Sequence, residues 1–109
     1  MAQYNGKSKF VLPRGLQLKN GVNVETITTV KVFNEFDSLI QILSNDTGGG
    51  IDVKLTAPKD GAFFFITSAG ANEIHVRDAG TTKTYAILAA NEGCLIASDG
   101  SDWYIVIKA

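Results

Sequence analysis

Few residues of this chain could do chemistry, and they are scattered. Asp46-Thr47-Gly48 spells the triplet with which homodimeric aspartic proteases bring two aspartates together to share one proton. Those enzymes place apolar residues before the triplet and an alanine after it, whereas here Ser44-Asn45 precede it and Gly49-Gly50 follow. Their later glycine-arginine element is missing too, since Arg77 follows Val76, so the triplet reads as a polar turn. His75 is the only histidine and Cys94 the only cysteine. A base and a nucleophile need a third group to orient the base, and none is indicated; a strand histidine facing water and a small buried thiol account for both. One cysteine forms no internal disulfide, and one of each residue assembles no Cys/His zinc site within a chain. Gly48-Gly49-Gly50 lacks the lysine, the serine or threonine and the helix start of a phosphate cradle. A calcium site on Asp99 and Asp102 would need further oxygen ligands, and Asn45-Asp46-Thr47 fits a glycan acceptor that has no secretion signal to go with it. The expectation is a protein without catalytic residues, metal or cofactor.

The elements that hold these residues are strands. Ile51-Asp52-Val53-Lys54-Leu55 alternates strictly, which puts three apolar side chains on one face and two charges on the other. Glu73 to Arg77 repeats the pattern with Ile74 and Val76 inward, and at the end Trp103, Ile105 and Ile107 alternate with Tyr104, Val106 and Lys108. Ala62-Phe63-Phe64-Phe65-Ile66 is apolar without alternation, which suggests a strand covered on both faces or one lending Phe63, Phe64 and Phe65 to a subunit interface. Turn formers stand between these segments, at Asn20-Gly21, Gly48 to Gly50, Lys59-Asp60-Gly61, Gly70-Ala71-Asn72, Asp78-Ala79-Gly80, Asn91-Glu92-Gly93 and Asp99-Gly100. From Gly48 on they recur about every ten residues, the rhythm of an antiparallel sandwich or barrel. One helix competes: Phe36, Leu39, Ile40 and Leu43 are at helical spacing within Glu35 to Leu43, although the same stretch is short and branched enough for a strand. The expected fold is all-β, a single antiparallel β-sandwich or barrel of jelly-roll type over residues 20–109, with residues 1–19 as an extended arm.

At 109 residues and 45% hydrophobic content the chain suits one domain with one core. It has no eighteen-residue apolar run, so no membrane partner is expected. The net charge of -1 hides an asymmetry. Lys7, Lys9, Arg14, Lys19 and Lys31 face only Glu25 up to residue 31, while the remainder carries ten acids and five bases. Single-strand sites interleave aromatics with bases, and only Tyr4 and Phe10 lie near this basic run, which argues against nucleic acid. Lys7, Lys9, Phe10, Arg14 and Lys19 are instead expected to contact protein.

Two strings carry a resemblance. Gly61 to Asp78, with its Ala71-Asn72 turn, and Ala89 to Val106, with Leu88-Ala89-Ala90-Asn91-Glu92 and Ser98-Asp99-Gly100-Ser101-Asp102-Trp103-Tyr104, are similar to a β module of bacteriophage virion proteins, over residues 57–107. Such modules resemble parts of head decoration proteins, head fibres and tail fibres, many of them trimeric. The resemblance implies a capsid decoration (cement) protein, a homotrimer made in the host cytoplasm and bound through its arm to the major capsid protein on the virion surface. A fibre or tail receptor-binding module is the alternative, and the start at Met1-Ala2 with the end at Ala109 favours the stand-alone protein. Trp103 and Tyr104 are expected as structural anchors. A carbohydrate-binding sandwich would instead expose Trp103, Tyr104 or Tyr85 as a platform.

Overall fold

Alternation produces nine strands among the described residues of the computed structural model, which are 20–34, 36–80 and 82–109. They are β1 (Val22–Ile27), β2 (Lys31–Val32), β3 (Ile40–Asn45), β4 (Ile51–Lys54), β5 (Phe63–Ser68), β6 (Ile74–Arg77), β7 (Thr84–Leu88), β8 (Gly93–Ser98) and β9 (Trp103–Lys108). A five-stranded sheet has the order β1-β3-β5-β8-β9 and a four-stranded sheet the order β2-β4-β6-β7. The protein is all-β, and no described residue is helical. The helix-spaced stretch before Leu43 resolves into a turn followed by β3, because a segment so short gains little as a helix while Ile40 and Ile42 gain partners on both sides.

The direction of pairing departs from expectation. β5–β8, β6–β7 and β8–β9 are antiparallel, but β1–β3, β3–β5, β2–β4 and β4–β6 are parallel. An antiparallel body of jelly-roll type is therefore corrected to two mixed sheets, and two separate sheets replace a closed barrel. The chain runs up one sheet, crosses to the other and returns beside its earlier strand, giving three successive coils: β1–β2, β3–β4 and β5–β6. Val22 pairs with Ile40 and Ile40 with Phe65, while Ile51 pairs with Ile74 in the other sheet. Strands β7, β8 and β9 then reverse and close the stack at one end.

Parallel winding follows from the corners. A parallel neighbour needs a crossover, and the stretch from Asn45 to Gly50 makes one by sending the chain into the second sheet. Buried Asn45 holds that corner. Its Nδ2 donates to Gly49 O at 2.6 Å and to Glu73 O at 2.7 Å, and its Oδ1 accepts from the Thr47 amide at 2.9 Å. Asn72 Nδ2 donates back to Asn45 O at 3.1 Å, joining the second coil to the third. Backbones crowd here: a Cβ on Gly70 would lie 3.2 Å from the Asn45 amide nitrogen.

The core lies between the sheets. Leu43, Phe64, Ile66 and Ile96 point in from one, Val53, Ile74, Val76 and Leu88 from the other. Phe33, Phe64 and Trp103 form an aromatic row within it, with centroids 4.9 and 6.0 Å apart, and Trp103 Nε1 donates to Thr56 O at 3.0 Å. That bond satisfies the one polar atom of a ring otherwise packed in hydrocarbon.

Candidate interaction surface

The outer face of the five-stranded sheet is built by the same alternation that fills the core. In β5, Phe64, Ile66 and Ser68 turn inward, leaving Phe63, Phe65 and Thr67 outside; in β8, Cys94, Ile96 and Ser98 turn inward, leaving Leu95 and Ala97 outside. Cross-strand register then lines up Val22, Ile40, Phe65, Leu95 and Ile107 as one continuous apolar row across all five strands. Beside it run Val24, Ile42 and Thr67 on one flank and Phe63, Ala97 and Tyr104 on the other. Phe63 and Phe65 meet edge to face at 6.1 Å. Val22, Val24, Phe65, Tyr104 and Ile107 are exposed. Among the described residues, no Asp, Glu, Lys or Arg occupies an outward position of this face.

Lys108 would be the exception if β9 alternated regularly, but the register shifts between Leu95 and Ile96. Val106 is taken up as an extra residue, so Ile107 falls opposite Leu95 on the outer face and Lys108 opposite Cys94. Lys108 Nζ lies 3.5 Å from Glu92 Oε2 at the sheet edge. The expectation that Ile107 points inward with Trp103 and Ile105 is corrected by this bulge.

The outer face of the four-stranded sheet has the opposite character. Asp52, Lys54, His75 and Arg77 project from β4 and β6, with Arg77 Nη1 3.8 Å and His75 Nδ1 3.9 Å from the Asp52 carboxylate. The Asp52, His75 and Arg77 side chains are each half-buried, and the pairs between them are long.

A polar knot joins the sheets near the β8–β9 turn. Asp102 Oδ2 accepts from Lys83 Nζ at 2.6 Å, and its Oδ1 accepts from Tyr85 OH at 2.8 Å and from the Trp103 amide at 2.8 Å. The Lys83 ammonium, then the Tyr85 hydroxyl, hold the Asp102 carboxyl down at about 2, and burial, with Asp102 beside it, pushes the Tyr85 hydroxyl up to about 12. Asp99 caps the turn by accepting from the Ser101 and Asp102 amides at 2.9 and 3.0 Å, which lowers its own pKa. A cleft of about 250 Å³ adjoins the knot. Lys83 and Asp102 in its lining bind each other, and the Asp78 carboxylate accepts from Thr82 Oγ1 at 2.7 Å and the Lys83 amide at 2.9 Å, so each of these charged groups is held by a neighbour in the fold.

The residues singled out from sequence separate accordingly. Alternation splits the phenylalanine triplet: Phe64 is 5% exposed and belongs to the core, which replaces an interface role for it, while Phe65 is 43% exposed on the outer face and Phe63 is half-buried beside it. Trp103 is a core anchor; Tyr104 points the other way and is 55% exposed, so an anchoring role in the core passes to Trp103 alone. With Trp103 inside and the Tyr85 hydroxyl given to Asp102, a carbohydrate platform on these aromatics would keep only Tyr104. Asp46 is exposed in its turn. His75 faces outward from one sheet and Cys94 inward from the other, where burial raises its thiol to about 11, so they form no nucleophile–base pair. No group of three or more metal-ligating side chains exists among the described residues. Lys7, Lys9, Phe10, Arg14 and Lys19 lie outside the described residues. Sequence reasoning missed Val22, Val24, Ile40, Ile42 and Leu95 as surface residues, because an apolar strand position reads as core until its register is known. No family model, no curated protein and no solved structure matches the chain.

Proposed function

We propose that the chain is a non-enzymatic structural protein of a bacteriophage virion, a capsid decoration protein that sits on the outer surface of the shell as a homotrimer. The reading rests on the virion-module pattern of residues 57–107, and the single observation that best supports it is the uncharged apolar face of the five-stranded sheet. A face of that composition is suited to burial against protein. The two halves of the pattern occupy β5–β6 and β8–β9, which pair with one another in the middle of that sheet through β5 and β8. The basic segment containing Lys7, Lys9, Arg14 and Lys19 supplies a complementary charge for an acidic neighbour such as a major capsid protein. In this reading the protein is made in the host cytoplasm and ends on the virion surface.

The parallel coiling favours a second reading as a fibre or tail module. Coils that cross between two sheets can be extended by further coils beside β1 and β2, the edge strands among the described residues, as in solenoid proteins.

The deciding experiment adds the purified chain to shells of its source particle prepared without it, followed by cosedimentation and electron cryomicroscopy. The decoration reading expects saturable binding and density at three-fold or quasi-three-fold positions, abolished by deleting residues 2–14. Density confined to the tail would establish the fibre reading, and no binding to any part of the particle would overturn both.

A further inference from the structure

The geometry points to the outer face of the five-stranded sheet as the surface on which copies of this chain pack against one another, centred on the row Val22, Ile40, Phe65, Leu95 and Ile107. The inference deepens the structural reading above by assigning the partner of that face. Three observations carry it.

The first is size. Val22, Val24, Phe65, Tyr104 and Ile107 on this face are 43–73% exposed, and with half-buried Ile40, Ile42, Phe63 and Leu95 between them they form a contiguous apolar patch of the kind that marks an interaction site. Water is a poor resting state for it. The second is composition. Transient partners meet through surfaces about as polar as the rest of a protein, whereas contacts between copies are more apolar and lack charge at the centre. Here charge is absent from the outward positions of all five strands, and the other sheet carries Asp52, Lys54, His75 and Arg77 on its outer side. An uncharged face also meets its own copy without like-charge repulsion, which an acidic or basic partner surface neither needs nor exploits.

The third is the bulge at Val106. It turns Ile107 onto the face and takes Lys108 off it, to Glu92. Regular alternation after Trp103 would have done the reverse. A strand edge with one extra residue thus extends the apolar row to the rim of the sheet and excludes the charge that would have interrupted it. In a three-fold assembly, three such faces turned toward the symmetry axis would bury Phe65 and Leu95 at the centre, with Val22 and Ile107 towards the margins.

Sedimentation velocity on the full chain, from about 1 to about 100 μM, tests this. Wild type is expected to self-associate. Phe65→Lys and Ile107→Lys are expected to weaken association by at least about 100-fold while retaining the β-sheet circular dichroism of the parent, the scale of losing a hot-spot residue. Ile87→Lys, at a position similarly exposed but on the other sheet, is expected to associate like wild type. Ile107 sits on an edge strand, so that variant keeps the test valid even where Phe65→Lys fails to fold. A wild-type chain that stays monomeric, one that associates only after residues 2–19 are deleted, or lysine variants that associate as well as wild type would each overturn the inference, the second by assigning the face to the chain's own N-terminal segment. A dimer in place of a trimer upholds the interface and removes the trimer from the proposed function. Shell binding by a monomeric Ile107→Lys leaves decoration standing whatever happens to the interface.

Discussion

Leu95 on β8 and Ile107 on β9 stand opposite one another on the outer face of the five-stranded sheet, one step beyond a register shift. Ile96 and Ile105, the pair just before the shift, face the opposite way, toward the core. Two residues of β9 with the same parity therefore serve opposite sides of the sheet, and Val106 between them absorbs the difference.

Deleting Val106 is accordingly expected to be tolerated. The ladder would close up with Ile105 still opposite Ile96 and Ile107 still opposite Leu95, so both faces survive. Thermal melting within about 5 °C of the parent is expected, the shift produced by roughly 1 kcal/mol in a domain this size. A regularly alternating β9 would instead lose register after the deletion, with a much larger drop.

Adjacent phenylalanines should respond oppositely. Phe64→Ala removes a ring packed between Phe33 and Trp103 and is expected to cost about 3–5 kcal/mol. Phe65→Ala, on the outer face, is expected to cost less than about 1.5 kcal/mol of monomer stability. Denaturant unfolding at a concentration low enough to prevent association measures both.

Asn45→Ala should be more damaging than a typical polar substitution. It takes the Asn45 donor from the carbonyls of Gly49 and Glu73, which keep the Thr47 hydroxyl at 3.0 Å and the Ile51 amide at 3.3 Å, and it takes the acceptor from the Thr47 amide at the corner between coils. A loss of about 1–3 kcal/mol is expected, and Asn45→Asp should not restore it, because a carboxylate accepts but cannot donate to those carbonyls. The same denaturant melts report both variants.

Acid should weaken the join between β7 and the β8–β9 turn. The Asp102 carboxyl is held at about 2 in the folded chain against an ordinary value of 3.8. A group whose folded pKa is depressed contributes stability that is present above its unfolded value and is lost as pH falls toward its folded value. Stability is therefore expected to fall between about pH 4 and pH 2, and Asp102→Asn should flatten that part of the profile in urea melts taken across the range.

The β character of this chain was legible in its residues. Alternation at Ile51 to Leu55 and Glu73 to Arg77, with turn formers between, specifies strands because a half-buried strand needs a period of two whatever lies beside it. The burial of Trp103 and the Asp99-Gly100 turn were legible for the same local reason. Pairing direction was not, because parallel and antiparallel strands share that period, and the crossovers between the sheets, such as the corner at Asn45 bonded to Glu73 from the next coil, decide where the chain returns. Nor could Phe63, Phe64 and Phe65 be assigned from three identical residues; Ile40 and Leu95 beside Phe65 on one face, and Phe33 and Trp103 against Phe64 on the other, separate them. Tertiary structure alone turned Ile107 outward, because a bulge is a mismatch in residue count between two strands, and neither strand's own sequence contains it.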